Sequence, residues 1–180
     1  MIDIRIIPPP DLQRLIDVVS RIPGGLERAA TRAVRRTLRG GKQDAARKIA
    51  QRYTIKAGVV IGTIRITQSG VSGEMSSRGR VNPLKLFKIR PRSRPKKMPK
   101  GGVYVQNVKG AGGYIRSGFL TRSGNVVSRA GSSRYPLRGH AGPSSPGMLN
   151  KVGDEVSDKM FKRLEINLNH ELSAILGGFG

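Results

Sequence analysis

"LERAATRAVRRTLRGGKQDAARKIAQR", residues 26–52, decides how the rest of the chain is read. Leu26, Ala29, Ala30, Ala33, Val34, Leu38, Ala45, Ala46, Ile49 and Ala50 recur at steps of three and four, the period of a helix with one apolar face. Gly40 and Gly41 interrupt the middle, where a glycine pair can kink a helix or divide it. The apolar face resumes in phase beyond the pair, so the sequence predicts one helix over about 26–52. Its apolar side is mostly alanine, which lets a sheet or a second helix approach closely. Arg28, Arg32, Arg35, Arg36 and Arg39 cover much of the other side.

Upstream, "IDIRII" at 2–7 alternates apolar and polar residues and predicts a short strand, which Pro8, Pro9 and Pro10 stop. Asp11 can cap a helix over "LQRLIDVVSRI", with Leu12, Leu15, Ile16 and Val19 on one face. Pro23-Gly24-Gly25 ends it.

Downstream, the segment from Ile55 starts as a possible helical turn. It becomes β-branched near Val60, predicting strands at about 61–68 and 71–78 with a turn at Ser69-Gly70. "GVYVQNV" (102–108) and "GYIRSGFLTRSGNVVSRAG" (113–131) also have strand character, and Gly124 can supply the positive φ of a hairpin turn in "TRSGN". "GAGG" at 110–113 reads as a flexible turn. "RYPLRGHAGPSSPGMLN", 134–150, carries three prolines and three glycines and reads as an ordered loop, neither helix nor regular strand. From 149 to 176 the chain predicts an amphipathic helix, with Leu149, Val152, Val156, Met160, Leu164, Leu168, Leu172 and Leu176 on a stripe widened by Phe161 and Ile175. Gly177-Gly178 ends it.

These elements predict an α+β fold in a single domain over 1–180. A small, mainly antiparallel sheet is packed by the long helix of the N-terminal half and by the C-terminal amphipathic helix.

Charge is the extreme feature. The 180 residues hold 34 Lys and Arg against 11 Asp and Glu, a formal net charge of +23. From Ala45 to Gly153 the only acid is Glu74. The stretch 82–102 holds no acid, has four prolines, and carries Lys85, Lys88, Arg90, Arg92, Arg94, Lys96, Lys97 and Lys100. It reads as an extended basic arm or long loop, mobile in the free protein. Such a block points to a polyanion, either nucleic acid or an acidic protein surface, against the plainer reading of a solvated basic face. Phe87 is the sole aromatic between Tyr53 and Tyr104, so stacking readout is not expected and contact should be with phosphate.

Enzyme chemistry finds few candidates. There is no cysteine, which removes disulfides and thiolate metal sites. His140 and His170 lack a carboxylate nearby in sequence, so no standard zinc site is predicted. His170 reads as a packing or surface residue. No P-loop, nucleophile elbow or paired-carboxylate motif is present. The expectation is no catalytic residue, no metal and no cofactor. The start of the chain lacks the form of a signal peptide, and no apolar run reaches the roughly 18 residues of a membrane span.

The order of these segments resembles the minor tail protein Z family, the tail-completion proteins of long-tailed bacteriophages. The resemblance covers roughly 26–176. Its most specific part is Arg129, Gly131, Arg134, Pro136 and Leu137, followed by Gly142, Pro143, Ser144, Pro146, Met148 and Leu149, ahead of the last helix. The insertion "RGHA" before Gly142 and the long basic arm depart from the family pattern.

The resemblance implies a structural virion protein without catalysis, acting late in assembly at the head-proximal end of the tail after synthesis in the host cytoplasm. It implies a hexameric ring meeting a tail terminator or tail tube protein and a head–tail connector. On that basis Arg134, Pro136, Leu137, Gly142, Pro143, Pro146 and Met148 form a subunit interface, against the plainer reading of a loop packed on its own domain. The eight basic arm residues then face genomic DNA in the channel, or an acidic partner. The competing expectation is a non-specific nucleic-acid-binding protein of ribosomal or chromatin type, which leaves the long C-terminal helix and the proline loop unexplained.

Overall fold

The computed structural model describes residues 10–97 and 99–178, without the side chains of 10–13. The strand predicted at 2–7 and the side chain of Leu12 lie outside this description. The elements begin with α1 (Pro10–Val19), α2 (Gly25–Arg52), α3 (Ala57–Thr63), β1 (Ile64–Ser69), β2 (Ser72–Ser77) and β3 (Val81–Pro83). A 3-10 turn (Leu84–Leu86) leads to β4 (Lys88–Arg90), β5 (Val103–Val108), β6 (Ala111–Ile115), β7 (Gly118–Leu120) and β8 (Val126–Arg129). Then come β9 (Leu137–Gly139), β10 (Ala141–Ser144), α4 (Ser145–Asn150) and α5 (Gly153–Leu176). The class is α+β, and every strand pair among the described residues whose direction is defined is antiparallel.

The chain divides into two compact units. The first comprises the described parts of Met1–Lys42, Ile66–Met75 and Glu155–Gly180; the second comprises Gln43–Arg65 and Ser76–Asp154.

In the first unit α2 and α5 pack antiparallel, and α2 runs unbroken through Gly40-Gly41. The pair lies where α5 crosses. A Cβ on Gly40 would overlap the Arg163 side chain, and one on Gly41 would overlap Met160. The glycines therefore trade helix propensity, about 1 kcal/mol each relative to alanine, for close approach of bulky α5 side chains. Polar contacts continue the seam. Asn167 Nδ2 donates to Thr37 Oγ1 at 2.9 Å, and Arg36 Nη1 lies 2.8 Å from the buried Glu171 carboxylate. Val19, Ala29, Leu172 and Ile175 form the core, extended by Leu15, Ile16, Ile22, Leu26 and Leu168. The tip of the β1–β2 hairpin lies on α2: Gln68 Nε2 donates to the Thr31 carbonyl at 2.8 Å. A Cβ on Gly73 would strike Leu38.

The second unit is mostly sheet. β4, β5 and β6 form one three-stranded sheet and β7, β8 and β9 another, while β3 pairs with β10. Leu84, Ile89, Val103, Leu120 and Val126 make its core, with Val105 and Ile115 against it. Gly124, at φ 77°, turns the predicted hairpin, which closes as Thr121 N–H donates to the Asn125 carbonyl at 2.9 Å.

Three expectations are corrected. The residues of "GAGG" after Gly110 are strand, not turn: the turn is at Lys109-Gly110, and Ala111–Ile115 pairs with β5. The helix predicted over 149–176 is two helices, because α4 ends at Asn150 and α5 starts at Gly153. The apolar period passes through the break unchanged, so periodicity alone could not mark it. The stretch 134–150 is not a loop throughout, since it contains β9, β10 and α4. Strands of three or four residues leave no local period; β9 pairs with the preceding strand β8, and β10 with the distant β3.

Candidate polyanion-binding surface

The eight cations of 82–102 are all exposed, but they do not share one free arm. Residues 82–90 are folded into the second unit. Leu84, Phe87 and Ile89 are buried at 2%, 6% and 4% exposure, which the basic composition around them concealed. Lys85 stands on the 3-10 turn, its Nζ 3.4 Å from the Ser123 carbonyl. Lys88 and Arg90 flank Ile89 on β4, so strand alternation turns both away from the core that Ile89 enters. Arg92, Arg94, Lys96, Lys97 and Lys100 lie between β4 and β5, where the described residues take neither helix nor strand.

Register extends the basic face. Arg90 pairs with Tyr104 and Lys88 with Gln106, while Tyr104 pairs in turn with Tyr114. Directly opposed residues share a sheet face, so Lys88, Arg90, Gln106, Tyr104 and Tyr114 stand together on the side opposite Ile89, Val103, Val105 and Ile115. The two tyrosine rings meet edge to face, centroids 5.2 Å apart at 64°, and Tyr114 is 64% exposed. No carboxylate lies on β4, β5, β6 or the segment between β4 and β5. Phe87 is the sole aromatic between Tyr53 and Tyr104 in sequence, yet the fold sets two tyrosines beside the basic strand. Tyr104 and Tyr114 are 14 and more residues from Arg90 in sequence, and only strand pairing brings them beside it.

The second group of residues singled out in the sequence separates into two halves. Arg134, Pro136 and Leu137 are exposed, with the Arg134 guanidinium 5.8 Å from the centre of the exposed Tyr135 ring. Gly142 and Met148 are buried, and Pro143 and Pro146 half-buried. A Cβ on Gly142 would strike the Phe87 ring. Asn82 Nδ2 donates to the Pro143 carbonyl at 2.8 Å and to Ser145 Oγ at 3.2 Å. Ser144 caps α4 by accepting from Gly147 N–H at 3.2 Å, and Pro146 sits in the first turn, where its missing N–H is not needed. This half is therefore packed and capped within the folded chain, and Met148, at 0% exposure, has no surface to offer a neighbour. Sequence could not divide the stretch, because both halves are rich in proline and glycine.

Each histidine lies beside a polar side chain. His140 Nε2 is 2.8 Å from Ser128 Oγ, and His170 Nδ1 is 3.3 Å from Arg36 Nη1. Among the described residues no group of three or more His, Cys, Asp or Glu could hold a metal ion. No described helix is long and apolar enough to cross a membrane. The chemistry available on the basic surface is electrostatic attraction, hydrogen bonding and ring contact.

The family model of prophage minor tail protein Z matches residues 12–177. No curated protein and no solved structure matches the chain.

Proposed function

From the chain's membership of the prophage minor tail protein Z family, which makes it a structural component of a bacteriophage tail, we propose that it completes the head-proximal end of the tail and encircles the DNA path at the head–tail junction. It does so as a hexameric ring, between a tail terminator or tail tube protein and the head–tail connector, and catalyses no reaction. The observation that carries this is the charge of the second unit. Its segments hold 22 Lys and Arg against 2 Asp and Glu, a net of +20. A tail component that met only neutral protein would gain nothing from such self-repulsion, whereas one beside packaged DNA screens phosphates without reading sequence. The exposed Arg134, Pro136 and Leu137, with Tyr135, supply the contact to the next subunit, since Tyr and Arg are favoured at such anchors. Gly142, Pro143, Pro146 and Met148 hold that loop in place from behind.

The test is cryo-electron microscopy of virions carrying a tagged chain. Six copies at the head-proximal tail end support the proposal. Tag density at the distal end, or a copy number that is not a multiple of three, contradicts it.

A further inference from the structure

We propose that the outer face of the β4–β5–β6 sheet binds single-stranded nucleic acid, with an unpaired base stacked on Tyr114 and phosphates held by Lys88 and Arg90. This rests on the preceding reading for a nucleic-acid neighbour and goes beyond it by adding a contact to bases. Three features of the face support it. Tyr114 is the single large side chain that β6 places there, because Ala111, Gly112 and Gly113 leave the rest of that strand low. Tyr104 leans over Gly112, so closely that a Cβ there would overlap its hydroxyl. The result is an open surface on which Tyr114 is 64% exposed.

The second feature is the surround. Arg90 is directly opposite Tyr104, and Tyr104 directly opposite Tyr114. The cation-rich segment returns to the same place, since a Cβ on Gly101, next to Lys100, would lie 3.5 Å from the Tyr114 ring. Arg90 therefore stands beside Tyr104, and the backbone next to Lys100 passes the Tyr114 ring, with no carboxylate on these strands or the segment between β4 and β5.

The third feature separates a nucleic acid from an acidic protein as occupant. A protein anchor residue works in a closed, desolvated pocket, whereas Tyr114 stands 64% exposed on an open sheet face. An open ring amid cations is what a base stacks on while its flanking phosphates are neutralised. Duplex DNA keeps its bases stacked on one another, so only an unpaired stretch can use the ring.

The experiment is fluorescence anisotropy of the full chain with labelled oligothymidylate and with a duplex of equal length, for wild type, Tyr114→Ala and Tyr114→Phe. The expected result is an oligothymidylate affinity about 5- to 100-fold weaker in Tyr114→Ala. Tyr114→Phe keeps the ring and should bind as wild type, and duplex affinity should change less than about twofold in both. Should Tyr114→Ala fail to fold, quenching of tyrosine emission by oligothymidylate decides, since the chain has no Trp; absence of quenching overturns the proposal. An unchanged oligothymidylate affinity in folded Tyr114→Ala overturns the stacking site and leaves the duplex reading standing. Binding to neither nucleic acid removes both. Binding to polyglutamate alone assigns the face to an acidic protein and overturns the proposal.

Discussion

The two units differ in both construction and charge. The segments of the first hold 12 Lys and Arg against 9 Asp and Glu, a net of +3, against +20 for the second. The first unit uses its acids. Glu171 is 3% exposed and meets Arg36 across the α2–α5 seam, beside the Asn167–Thr37 hydrogen bond and the close approach of Met160 and Arg163 to Gly41 and Gly40. In the second unit the eight cations of 82–102 are exposed and the core cluster beneath them is aliphatic. Repulsion among cations is tolerable there because they ride on short strands and connecting segments, where a screened charge costs little. The lesson is a division of labour in charge: one unit is nearly balanced by its own acids, while the other carries the excess that the proposed polyanion would neutralise.

The comparison can be broken most violently in the second unit. Gly102 has φ 80°, and a Cβ there would run into the carbonyl oxygens of Ile115 and Arg116. Those are backbone atoms and cannot swing aside. Gly102→Ala should cost about 3 kcal/mol or more. Urea denaturation with hydrogen exchange should show β5–β6 losing protection first, and a loss confined to α2 and α5 would be the wrong outcome.

In the first unit the matching change is milder. Alanine normally improves a helix interior by about 1 kcal/mol over glycine, but Gly41→Ala must displace Met160. A net loss of about 1–2 kcal/mol is expected. A raised melting temperature would mean that α2 and α5 do not meet closely at this point.

Arg36→Met should cost about 1–2 kcal/mol, because it strands the buried Glu171 carboxylate, while the half-exposed arginine limits the effect. Adding Glu171→Leu should recover much of the loss; no recovery would show that Arg36 stabilises by packing alone. Smallest is Ser144→Ala, which removes the α4 cap and should cost about 1 kcal/mol, read as a shift in urea midpoint at constant slope.

How much of this was legible follows from where the information lies. One helix through Gly40-Gly41 could be read because the phase of Ala33, Leu38, Ala45 and Ile49 is local. Why the glycines are there could not, since Met160 and Arg163 are more than a hundred residues away. The hairpin at Gly124 was announced by its own turn residues. Phe87 and Ile89 were hidden among cations, because a three-residue strand has no period to count. The family motif pointed to a special segment, yet only pairing with β3 and the contact with Phe87 divide its buried from its exposed half. The tyrosine platform needs two registers at once and leaves no trace in local composition.

The central claim is that polyanion binding belongs to the second unit. The direct measurement is the salt dependence of duplex affinity for wild type and two fourfold variants. One carries Arg92, Arg94, Lys96 and Lys97 changed to Gln. The other carries Arg28, Arg32, Arg35 and Arg39 on α2 changed to Gln. Each neutralised phosphate contributes about 0.9 to the slope of log affinity against log salt. The first variant should therefore lose about 3 to 4 units of slope with nearly unchanged melting temperature, and the α2 variant should keep the wild-type slope. A slope lost in the α2 variant and kept in the other would contradict the account.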